Sequence, residues 1–125
     1  MPESWKFDED GAETLAADET VDELGARIGR GILESWLISS SGRLLAVVTN
    51  TERAMVMLLD GIGDPGEHAT DPEAAGFSEG FILANGQHDE YPDEDTVPLT
   101  DALQIVRRIL ISGNPPADAP WQVDR

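Results

Sequence analysis

The clearest pattern along the chain is a set of short apolar runs punctuated by turn residues. Residues 35–39 (SWLIS) and 44–49 (LLAVVT) flank Ser40, Ser41 and Gly42. Both runs are rich in β-forming side chains, so this spacing predicts a hairpin. A second turn at residues 50–53 (NTER) leads into residues 54–59 (AMVMLL), and the three runs together predict an antiparallel meander. The third run is apolar at every position, which predicts a central strand covered on both faces. Residues 80–84 (GFILA) predict a fourth strand, closed by the turn dipeptide Asn85-Gly86. Residues 60–77 read as a long loop. Residues 87–99 (QHDEYPDEDTVPL) read as an acidic loop with a short edge strand at Thr96 and Val97.

Helical periodicity brackets this β-rich middle. Thr20-Val21-Asp22-Glu23 has the capping-box pattern, with Val21, Leu24 and Ile28 on one face and Gly29 and Gly31 as stops. Thr100 is a good N-cap with Asp101 in the first turn. Leu103, Val106, Ile109 and Leu110 then form an apolar stripe that Ala102 and Ile105 widen. Gly113 suits the C′ position and Pro115-Pro116 prevents continuation, after which Trp121 is expected to fold back onto the sheet or helix. Residues 1–19 are acidic and weakly periodic, which predicts a frayed start apart from a short strand near Trp5 to Phe7. The resulting fold class is α+β: a mostly antiparallel sheet of four to five strands with one helix before it and one after, in a single domain over residues 1–125. Trp36 and Trp121 are assigned to the core.

Charge changes the picture most. Twenty-five acids oppose eight bases, a net charge of -17. No Lys or Arg occurs between Arg53 and Arg107, where twelve Asp or Glu stand. Such a surface repels nucleic acid and anionic membranes and attracts a basic partner; solubility or adaptation to salt would account for it equally well. Without cysteine, disulfides and thiolate metal sites are excluded. No signal-like core or membrane-length apolar run is present in the sequence, and a cytoplasmic protein is the expectation.

Candidate chemistry is thin. Gly61-Ile62-Gly63-Asp64-Pro65-Gly66 matches the GxGxxG spacing, but Pro72 and Gly76 break any helix after it, and Asp60, Asp64 and Glu67 oppose phosphate. A turn is the reading favoured. His68 and His88 belong to no ligand spacing, and Asp89, Asp93, Glu94 and Asp95 do not fit a calcium loop, so no metal and no cofactor is expected. There is no nucleophile elbow, and carboxylate pairs this abundant carry no information, so no enzyme is expected.

Several short elements, in order, resemble a known family. They are Asn50, Ala54-Met-Val-Met-Leu-Leu59-Asp60-Gly61, Asn85-Gly86-Gln87, Pro98-Leu99-Thr100-Asp101-Ala102 and Gly113-Asn-Pro-Pro116 followed by Trp121. From about residue 36 to Trp121 the chain resembles the first family of immunity proteins of bacterial polymorphic toxin systems. The resemblance implies a small cytosolic α+β protein without catalytic activity that binds a secreted effector's toxin domain and blocks its active site. Family members guard nucleic-acid deaminases and nucleases, among other toxins. The expected partner is thus a cognate basic toxin domain acting on nucleic acid. Two acidic segments are its candidate contacts: Asp60, Asp64 and Glu67 in one, and Asp89, Glu90, Tyr91, Asp93, Glu94 and Asp95 in the other. Tyr91 is the proposed anchor. A solvated acidic face, and a tyrosine packed on its own sheet, are the plainer readings of these residues. Other functions left open are a small-molecule or Ca²⁺ module, its pocket closed by loops 60–77 and 85–99, and an acidic DNA mimic that inhibits a host protein.

Overall fold

The computed structural model describes residues 3–125. The chain folds in the order β1 (Trp5–Phe7), α1 (Ala17–Gly29), β2 (Glu34–Ser39), β3 (Leu44–Thr49), β4 (Arg53–Leu59), β5 (Glu67–Ala69), β6 (Phe77–Ile82), β7 (His88–Pro92), β8 (Val97–Pro98), α2 (Leu99–Ser112) and β9 (Trp121–Val123). The α+β class and the two flanking helices are as the sequence implies. Among the described residues no helix is long and apolar enough to cross a membrane.

The main sheet is larger than the four to five strands expected. Among the described residues seven strands form it, in the order β1-β2-β3-β4-β5-β9, with β8 also pairing β4, and all these pairings are antiparallel. The two additional strands on its far edge, β5 and β9, are three residues each, too short for alternation to reveal them. The fourth predicted strand does not join this sheet. It is β6, and it pairs with β7, which forms within the predicted acidic loop, as a separate hairpin.

The meander β2–β3–β4 is as predicted, but its centre is not. All six residues of β3 are buried, whereas β4 alternates buried with half-buried. The middle strand of a meander lies under cover on both faces because both of its edges carry strands and both of its faces carry other elements. On the inner face, Leu37, Leu45, Val47, Val56 and Leu58 pack with Leu24 of α1 and Val106 and Ile109 of α2. On the outer face the β6–β7 hairpin packs against β3. Phe81 of β6 is fully buried yet lies outside the helix-side core. Asn50 joins the layers. Its side-chain oxygen accepts from the amides of Glu52 (3.0 Å) and Arg53 (2.8 Å), closing the β3–β4 turn, while its Nδ2 donates to the Glu79 carbonyl at 2.9 Å.

The short strand expected near Trp5 to Phe7 is β1. Trp5 and Phe7 are buried in the core, and Glu3 is held by Arg43. Two apolar rings on alternate residues of one short strand bury more area than fraying would recover in entropy. The first helix begins at Ala17 rather than after Thr20. Thr20 is buried and its hydroxyl donates to the Ala16 carbonyl at 2.9 Å, while Glu19 reaches back to the Ala16 amide. Thr20 faces inward with Leu24, so the earlier start lengthens the stripe that meets the sheet. The second helix starts one residue before Thr100, and Gly113 ends it in the left-handed conformation at φ 80°.

Candidate protein-binding face

After β4 the chain reverses through Gly61-Ile62-Gly63-Asp64-Pro65-Gly66. Gly63 and Gly66 have φ of 86° and 84°. A Cβ on Gly66 would lie 3.1 Å from both the Leu58 carbonyl oxygen and Leu59 Cγ. Asp64 closes the turn by accepting from the Asp60 amide at 2.9 Å. The next element is strand β5 and not a helix, so the glycines serve a β4–β5 turn and no helix N-terminus stands there for a phosphate.

Asp60, Asp64 and Glu67 do come together, around a residue that spacing did not single out. The Arg125 guanidinium lies 3.2 Å from Asp60, 2.8 Å from Asp64 and 2.5 Å from Glu67. Glu67 also accepts from the Trp121 indole at 2.8 Å. The Asp60 amide and then Arg125 hold the Asp64 carboxyl below its usual range. Of the three carboxylates expected to point outward, Asp60 remains mostly exposed, and Asp64 and Glu67 are turned onto Arg125.

The second acidic segment is also more ordered than a solvated loop. Tyr91 meets Phe81 edge-to-face, centroids 4.8 Å apart, and its hydroxyl donates to Asp89 at 2.9 Å. Burial first, and then the Asp89 carboxylate, push the Tyr91 phenol up to about 12. The ring is thus half-buried and locked in its own hairpin, and is not a free-standing anchor. Asp93 and Asp95 lie in a single 3-10 turn, Asp93–Asp95. Asp93 accepts from Ser78 at 2.5 Å, and its carbonyl accepts from Arg53, which also pairs with Asp71 at 2.7 Å. Glu90 and Glu94 are exposed.

Asp95 of the second segment and Asp124 meet at His68. Its Nε2 lies 3.0 Å from Asp95 and its Nδ1 2.7 Å from Asp124. Next to them the outer sheet face is apolar and only half-covered. Trp36, Ala46, Met57 and His68 form one cross-strand row, and Ile38, Leu44 and Leu59 the next. In these rows Trp36, Ile38, Met57 and Leu59 are half-buried. Trp36, expected in the core, therefore lies on this outer face, where its indole donates to Glu34 at 2.9 Å. Trp121 does pack beside the core. A desolvatable apolar centre with carboxylates along its rim is the anatomy of a protein-binding surface. His68, Asp124 and Arg125 were missed because their roles depend on β5 and β9 pairing, and three-residue strands leave no periodic signal.

A cleft of about 790 Å³ lies elsewhere, between α2 and the segment preceding β9; Gln104, Arg107, Arg108, Asp118 and Pro120 are among its lining residues. Among the described residues no three His, Asp or Glu side chains are grouped as metal ligands. No protein-family model matches the chain, and no curated protein matches it significantly.

Proposed function

We propose that the chain is a cytoplasmic immunity-type inhibitor, without catalysis of its own, that binds a basic toxin domain acting on nucleic acid. A deaminase is the favoured toxin class, and the inhibitor would cover its active site or substrate face. One observation carries the reading: Asp95 of the second acidic segment and Asp124 converge at His68 beside a half-exposed apolar strip of Trp36, Ile38, Met57 and Leu59. A domain that grips phosphates needs a cationic face, and carboxylates on a rim complement it and speed encounter. The apolar strip supplies the centre that can be desolvated. The net charge of -17 and the ordered motif resemblance support the same reading.

The toxin domain encoded beside this gene is the direct probe. Co-expression should yield a complex at low salt and abolish the toxin's activity. Reversing the exposed carboxylates, Glu90→Lys with Glu94→Lys, should weaken binding by about tenfold or more, mainly through a slower on-rate. Absence of a complex at low salt overturns the proposal, and unchanged affinity in the double variant removes the second acidic segment from the interface.

A further inference from the structure

His68 ties together three segments far apart in sequence. It projects from the outer face of β5, with Met57 and Gln122 as its register partners on β4 and β9. Asp95 and Asp124 are the charged groups that face the ring, one at each nitrogen. A neutral imidazole carries one N–H, and only the imidazolium carries two. Donation to both carboxylates therefore requires the protonated ring. Burial alone would pull the His68 pKa down, but the hydrogen bonds to Asp124 and Asp95 outweigh it and leave it above its ordinary value.

The strand on the far side of this contact is otherwise held by Trp121, whose indole donates to Glu67, and by Arg125 among Asp60, Asp64 and Glu67. β9 has three residues, pairs only with β5, and has no fully buried side chain. Main-chain bonds at its ends run from the Thr70 amide to the Pro120 carbonyl (3.1 Å) and from the Asp124 amide to the Gly66 carbonyl (2.9 Å). A short edge strand of this kind opens at low cost. The charge-assisted contact at His68 is one of the polar fastenings that close it, and the one that titrates near neutral pH.

We propose that His68 is a proton-controlled latch fastening β9 to the edge of the sheet. Because the folded-state pKa is raised, the fastening is complete below the unfolded value of 6.5 and is lost as pH rises through the folded value. Deprotonation leaves one carboxylate facing a lone pair, and the surplus of acids on the chain then favours release. Opening would bare the β5 edge and free Asp60, Asp64 and Glu67 from Arg125. That consequence rests on the proposed toxin-binding role; the latch itself does not.

Two nuclear magnetic resonance measurements on the full chain test it, across roughly pH 5 to 8 where histidine titrates. One follows the His68 ring. The other follows amide hydrogen exchange, corrected for intrinsic rates, at Thr70 and Asp124, with the Thr49 amide of the meander as internal reference. The ring should titrate above 6.5. Protection of Thr70 and Asp124 should fall through that midpoint, while Thr49 stays constant. In His68→Gln the fall should vanish. Should that variant not fold, Asp124→Asn should lower the His68 midpoint and flatten the fall. A midpoint at or below 6.5, or protection at Thr70 and Asp124 that does not change or changes equally at Thr49, overturns the latch.

Discussion

The β2–β3–β4 meander and the β5–β9 edge belong to one sheet but are held by different forces. In the meander, apolar side chains from two helices and a hairpin bury β3 on both faces. At the edge, three-residue strands are fastened by Arg125 among Asp60, Asp64 and Glu67, by Trp121 on Glu67, and by His68 between Asp95 and Asp124. Burial of area is insensitive to salt and to pH near neutrality; exposed ion pairs are sensitive to both. The molecule thus combines a fixed frame with an adjustable rim.

Leu45→Ala should give the largest effect, because Leu45 is fully buried at the centre of the frame. A loss of about 2–5 kcal/mol is expected in urea denaturation; a loss under about 1 kcal/mol would mean the frame is no better packed than the rim. Glu3 tests an intermediate case, an ion pair tucked behind β1. The Arg43 hydrogen bond, opposed by burial and helped by Ser39 and Ser41, holds its carboxyl at about 2. Its contribution is therefore present above the unfolded value of 4.5 and is lost as pH falls from there toward 2. Glu3→Gln should cost about 2 kcal/mol at neutral pH and flatten the acid limb of the stability curve. An unchanged acid limb would place Glu3 with the solvated acids. Arg125→Ala should be the mildest, with the difference from wild type closing near about 1 M salt. A larger, salt-independent loss would erase the contrast between frame and rim.

Legibility in the sequence follows the same division. Runs of five or more apolar residues, Asn50, Asn85-Gly86 and Gly113 act through local geometry, and each appears where its chemistry predicts a strand, turn or helix end. The acidic segments were legible as composition. Their arrangement was not: Asp64 and Glu67 face Arg125, Asp95 faces His68, and Tyr91 packs on Phe81. The misplacement of the central strand has a similar origin. A uniformly apolar run suits two-sided burial, yet β4 leaves Met55, Met57 and Leu59 half-exposed because the hairpin lies against β3.

By itself the sequence determined the α+β class, the meander, the two helices and a strongly acidic net charge, because propensity, periodicity and net charge are local or additive properties. Tertiary structure alone decided which carboxylates remain free, which strand is central, and that His68 joins Asp95 to Asp124 beside the last strand. Those outcomes depend on which elements pair and on which face each layer lands, and contacts between residues 27 and 56 positions apart leave no trace in either local pattern or composition.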